Sequence, residues 1–79
     1  RIAFEKAAHV FRDPFRLTRQ DRVKDGEEET IGVAHGVTVL LVAHMITEDD
    51  DGKPHEEIRI ISARRATPEE RKHYEHENR

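Results

Sequence analysis

Glu57-Ile58-Arg59-Ile60-Ile61-Ser62-Ala63-Arg64-Arg65-Ala66-Thr67-Pro68-Glu69-Glu70-Arg71 decides how this chain is read. Ile58, Ile60 and Ile61 favour a pleated, half-buried strand, taken here as Glu57 to Ala63. Strict alternation assigns Ile58, Ile60, Ser62 and Arg64 to one face and Arg59, Ile61, Ala63 and Arg65 to the other. Thr67-Pro68-Glu69-Glu70 reads as the cap and first turn of a helix. Threonine and glutamate stand at capping-box spacing, with proline where its missing N–H costs nothing. Arg64 and Arg65 therefore fall at a strand-to-helix junction. Cations fixed there suit a phosphate, or they bond Glu69 and Glu70 and serve the fold alone.

Upstream, Val37 to Ile46 is the most apolar run of the chain. It is rich in β-branched residues on both faces and reads as the central strand. His44 lies near its end, on the face of Thr38, Leu40 and Val42. Before it, Glu29 to Ala34 reads as a strand joined to the central one by a His35-Gly36 turn. Phe15 to Arg19 has the alternation of a short edge strand, and the sequence from there to Gly26 has a loop composition. Phe4, Ala7, Ala8 and Phe11 form one helical face, which Asp13-Pro14 ends. Between the last two strands, Thr47 to His55 reads as a polar hairpin loop. The final helix, from about Pro68, has Tyr74 as its only sizeable apolar anchor, which calls for support from elsewhere. The expected fold is one α+β domain over residues 1–79: a small, mainly antiparallel sheet of three or four strands, flanked by an N-terminal and a C-terminal helix.

At 79 residues, with 34% hydrophobic and 39% charged residues, the chain can bury only a thin core. It has no cysteine, so disulfides and thiolate metal sites are excluded, in keeping with a cytoplasmic location. No apolar run reaches membrane-spanning length. The net charge of −3 argues against nucleic-acid binding through the overall field. Its distribution does not. Acids cluster in Asp25 to Glu29 and Glu48 to Asp51, arginines at Arg12, Arg16, Arg19 and Arg22 and again at Arg59, Arg64, Arg65 and Arg71.

Metal-free RNA cleavage uses the substrate's own 2′-hydroxyl as nucleophile, a base, an acid and cations for phosphorane charge. Arg64, Arg65 and Arg59 suit the last task, because a guanidinium binds phosphate oxygens in pairs. His44 titrates in the range useful for proton transfer, and Tyr74 suits base stacking or hydrogen-bond donation. The plainer readings are a core histidine, a packing tyrosine and arginines paired with nearby acids. Glu69, His73, His76 and Glu77 lie on one helix, which alone supplies too few fixed ligands for a metal. No cofactor-binding motif is present, and no cofactor or metal is expected.

Ile58 to Tyr74 resembles the signature IRIISARxAtxxERxxYE of the BrnT family of bacterial toxins. Phe4-Glu5-Lys6-Ala7 with Val10-Phe11-Arg12-Asp13-Pro14 is similar to that family's FEEA…VFxDP opening. Gly26-Glu27-Glu28 with Thr30-Ile31-Gly32 resembles its GEER…xIG segment. The resemblance implies a RelE-like fold, metal-independent RNA cleavage and inhibition of translation. As partners it implies an RNA substrate, a BrnA-type ribbon-helix-helix antitoxin, operator DNA reached only through that antitoxin, and a homodimer. It sets Arg64, Arg65 and Tyr74 at functional positions of RelE-like toxins, and it implies a further segment before Arg1. The arginine of GEER is replaced, Glu29 standing in the shortened segment, and Glu48 to Asp51 lie where relatives carry a basic residue. Those losses favour an alternative, a weakened toxin acting mainly as an antitoxin-binding, corepressing subunit.

Overall fold

The computed structural model describes residues 2–36, 38–48 and 56–78. Four strands follow one another in an antiparallel meander: β1 (Leu17–Gln20), β2 (Glu28–Ala34), β3 (Thr38–Glu48) and β4 (Glu56–Arg65). Helix α1 (Phe4–Ala8) and a 3-10 turn (His9–Arg12) precede the sheet, and α2 (Pro68–Glu77) follows it. The expected α+β class and both flanking helices are found. Among the described residues, no helix is long and apolar enough to cross a membrane.

Each face of the sheet carries its own small core. Ala34, Leu40 and Val42 pack under Ala7 and Val10 on the α1 face, while Ile31 and Leu41 pack with Ala66 and Tyr74 on the α2 face. The α1 helix tightens into a 3-10 turn after Ala8, so the buried positions are Ala7 and Val10, three apart as such a turn requires. Phe4 and Ala8, expected to face inward, are exposed. The turn can lie close to the sheet because β2 offers a glycine beneath it. A Cβ on Gly32 would stand 2.9 Å from Val10 Cγ1 and 3.2 Å from the Val10 carbonyl oxygen.

Several boundaries differ from expectation. Strand β1 starts at Leu17, leaving Phe15 in the preceding turn, and runs one residue past the expected Arg19, to Gln20. The β3 strand continues through Thr47 and Glu48, because ladder pairing with Glu57 and Glu56 outweighs their polar composition. The other expected loop residues, 49–55, and Val37 lie outside the described residues. His35 and Gly36 both have positive φ, 56° and 81°, as a tight reversal between β2 and β3 demands.

The largest correction concerns faces. Ala43 pairs with Ser62 but His44 pairs with Ile60, so Ile61 is an extra residue, a β-bulge in β4. It inverts the alternation across itself. Arg59, opposite Met45, now shares the α2 face with Arg64, opposite Leu41; Ile60 and Ala63 both join the α1-face core. Strict alternation had put Arg59 with Arg65 and Ile60 with Arg64. Strand β4 also runs two residues further than expected, so Arg64 and Arg65 are its last rungs.

Candidate functional site

The junction after β4 is rigid for reasons visible in its side chains. Thr67 caps α2: its hydroxyl accepts from the Glu70 N–H at 3.2 Å, while Glu70 Oε1 accepts from the Thr67 N–H at 2.9 Å. The same carboxylate grips Arg64 in a paired bond, Nη1 to Oε1 at 2.7 Å and Nη2 to Oε2 at 2.9 Å. Arg64 Nη1 also donates to the Arg65 carbonyl at 3.2 Å. That pairing, with the helix-start bonds, draws the Glu70 carboxyl down to about 2 despite partial burial, and it raises Arg64 above its ordinary value. One glutamate thus starts the helix and aims the arginine. The Arg64 side chain nevertheless stays 53% exposed, so N–H groups not spent on Glu70 face solvent.

Arg59 and Arg65 are exposed and make no ion pair among the described residues. Arg59 lies with Arg64 on the α2 face; Arg65, opposite Leu40, points to the other. Ser62, opposite Ala43, stands between Arg59 and Arg64 on their face. The fold therefore brings two of the three arginines onto one open surface and sends the third around the strand.

His44 does not join them. It sits on the α1 face, 2% exposed, with Nε2 2.7 Å from Thr30 Oγ1, which in turn lies 2.7 Å from Thr18 Oγ1. The Phe11 ring meets it edge-on with centroids 4.8 Å apart. Its Nδ1 has no partner among the described residues. Burial pushes its pKa below the ordinary histidine value, against the opposing charge of Glu28. Burial thus favours the neutral ring, which the sheet walls off from the arginine face.

Tyr74 is likewise inside, 8% exposed, with its hydroxyl donating to Asp13 Oδ2. Burial and that carboxylate raise its pKa well above the ordinary tyrosine value. Asp13 is the residue that sequence reasoning missed, taking it only as a helix terminator. It accepts from the Val33 N–H at 2.8 Å, on the edge of β2 that β1 leaves free beyond Ile31, and from the Phe15 N–H at 2.9 Å. Burial alone would raise its pKa, but bonds from Tyr74, Val33 and Phe15, with the charge of Arg16, hold it below the usual carboxylate value. The signal for it was an acid before proline, between two predicted elements, inside a block that resembled a family.

Between β1–β2 and α2 lies a cleft of about 500 Å³ with Leu17, Ile31 and Leu41 on its floor. Its rim carries Glu29, Glu69 and Glu77 against Arg19 and His73, and Arg19 already leans on Glu29 at 3.6 Å. The rim is thus rich in acids, whereas the Arg59–Arg64 side of the same face carries cations. No cluster able to hold a metal ion occurs among the described residues.

Fold and site together define a small α+β domain that carries a braced cationic junction on an open sheet face. A family model described as ribonuclease toxin, BrnT, of type II toxin-antitoxin system matches residues 1–70. The chain belongs to that family of ribonuclease toxins, which implies an RNA target and an antitoxin partner. Tyr74 lies beyond the matched residues. No curated protein matches the chain.

Proposed function

We propose that the chain is an endoribonuclease toxin that cleaves RNA without a metal, inhibits translation, and is neutralised by a BrnA-type ribbon-helix-helix antitoxin that also recruits operator DNA. The observation that carries the site assignment is the shared face of Arg59 and Arg64. In this reading the two arginines bind successive phosphates of one strand and stabilise the charge that develops at the scissile one. Glu70 pre-pays the ordering of Arg64, so little side-chain freedom is lost when RNA arrives. Arg65 extends the positive surface around the strand edge. His44 and Tyr74 act through the fold: His44 holds β2 to β3 through Thr30, and Tyr74 fixes α2 against Asp13. The proton transfers then fall to groups other than His44, whose ring has no path to a bound 2′-hydroxyl.

A second reading has support in the same geometry. With Glu70 gripping Arg64 and His44 sealed on the opposite side of the sheet, the chain can serve mainly as an antitoxin-binding subunit. RNA cleavage by the purified chain in the presence of a chelator separates the two. Cleavage that persists with chelator, and falls on Arg59→Ala/Arg64→Ala substitution, supports the enzyme. No cleavage by a folded chain that still binds its antitoxin supports the subunit.

A further inference from the structure

The cleft between β1–β2 and α2 has an apolar floor of Leu17, Ile31 and Leu41 and a volume of about 500 Å³, within the range of small-ligand pockets. It adjoins the arginine surface. Leu41, on the floor, is the ladder partner of Arg64, and Glu70, on the wall, clamps that arginine. Glu29 lies on the next rung, which continues through Ala43 and Ser62, and these small side chains raise no wall toward Arg59 and Arg64. The charge of Glu29 is close enough to help raise the Arg64 pKa.

Four carboxylates border the cleft, and one differs from the rest. Glu70 is spent on Arg64 and on the cap of α2, while Glu69 and Glu77 are exposed. The Glu29 side chain is only 20% exposed, and its nearest cation, Arg19 Nε, stands 3.6 Å away, outside hydrogen-bond reach. Among the described residues nothing donates a hydrogen bond to it. A carboxylate held so far out of water calls for donors.

An unstacked RNA base offers such donors on its Watson–Crick edge. Guanine alone presents two side by side, N1–H and the N2 amine, with the O6 acceptor next to them. Adenine and cytosine each set one amine beside a ring-nitrogen acceptor that a carboxylate repels, and uracil sets one N–H between two carbonyls. Glu29 with Arg19 matches the guanine edge: the carboxylate takes both donors and the guanidinium gives an N–H to O6. The apolar floor suits one face of the base, and His73, on the opposite rim, suits stacking on the other. The phosphates meanwhile stay with the arginines, so no phosphate has to enter the acid-rimmed cleft.

We propose that this cleft holds the base of the nucleotide whose phosphate lies on Arg64 and that Glu29 selects guanine there, an assignment that rests on the reading of Arg59 and Arg64 as the RNA surface. Glu29 is then a specificity-determining residue, and the RNA is single-stranded where it binds.

Fluorescence anisotropy with the purified chain and non-cleavable 2′-O-methyl oligouridylates tests this, each oligonucleotide carrying one central guanine, inosine, adenine or cytosine. Guanine is expected to bind at least about tenfold more tightly than adenine or cytosine. Inosine, which lacks only the N2 amine, is expected to lose most of that advantage. Glu29→Gln keeps the side-chain shape and the Glu70 clamp; it is expected to bring guanine down to the level of the other bases and to leave those unchanged. Equal or undetectable binding of all four, or a guanine preference that survives Glu29→Gln, would overturn the proposal. So would a Glu29→Gln effect confined to a lysine-rich peptide, which would give the cleft to a basic protein segment. Chelator-resistant cleavage is scored separately. Guanine-selective binding without cleavage leaves the base site standing and removes the enzyme, whereas cleavage with no preference for guanine does the reverse.

Discussion

Asp13 shows most clearly how one side chain can join the parts of a small domain. Its carboxylate takes two backbone N–H groups and the Tyr74 hydroxyl, tying the end of the 3-10 turn, the open edge of β2 and helix α2 together. Tyr74→Phe keeps the ring packed and removes only the donor, so a loss of about 1–3 kcal/mol is expected in urea denaturation. RNA cleavage per folded molecule should be unchanged. Lost cleavage at unchanged stability would instead give Tyr74 a part in the chemistry. His44 makes a different prediction at the same scale. Its folded pKa lies below the ordinary value, so between the two values the unfolded chain binds more protons, and stability falls as pH drops below about 6.5. His44→Gln retains a partner for Thr30 without titrating. Its melting temperature should fall less steeply with acidification through that window. An identical slope would show that the ring titrates in the fold as it does in the unfolded chain.

At the scale of elements, much of the architecture was legible because its signals are local. The Thr67-to-Glu70 box, the His35-Gly36 reversal and the β-branched run of β3 each announce themselves within a few residues. The bulge at Ile61 did not, since nothing in Ile60-Ile61-Ser62 distinguishes an extra residue from a regular rung; only pairing with β3 reveals it. Arg59 was therefore assigned to the wrong face. The length of β3 was misjudged because cross-strand pairing, a non-local gain, outweighed the composition of Thr47-Glu48. Gly32→Ala drives a Cβ into Val10, both its Cγ1 and its carbonyl oxygen, and should cost about 1–3 kcal/mol by forcing the 3-10 turn away from the sheet. Glu70→Ala removes the reciprocal cap and the Arg64 clamp together. It should cost about 1 kcal/mol from the cap, and it should reduce RNA cleavage as Arg64 becomes free to wander. The Glu70 contribution is present above the ordinary carboxylate range and is lost as pH falls toward about 2, where its folded carboxyl is protonated.

Across the whole molecule, the sheet separates two kinds of interior polar group from one kind of exterior charge. His44 and Thr30 are sealed beneath α1, Asp13 and Tyr74 beneath the edge where α2 docks, and the arginines of β4 remain outside. Family membership was readable from blocks spread along the chain, and the sequence named the candidate site residues by type alone. Their division between faces was not, because it depends on one unpaired residue in one strand. The central claim is that Arg59 and Arg64 form one phosphate-binding surface on the α2 face. The most direct test is cleavage of RNA by the purified chain in chelator, comparing the unsubstituted protein with Arg59→Ala, Arg64→Ala and the double variant, each verified as folded. The expected result is chelator-resistant cleavage that each single substitution lowers and the double one abolishes. Full cleavage by the folded double variant would contradict it.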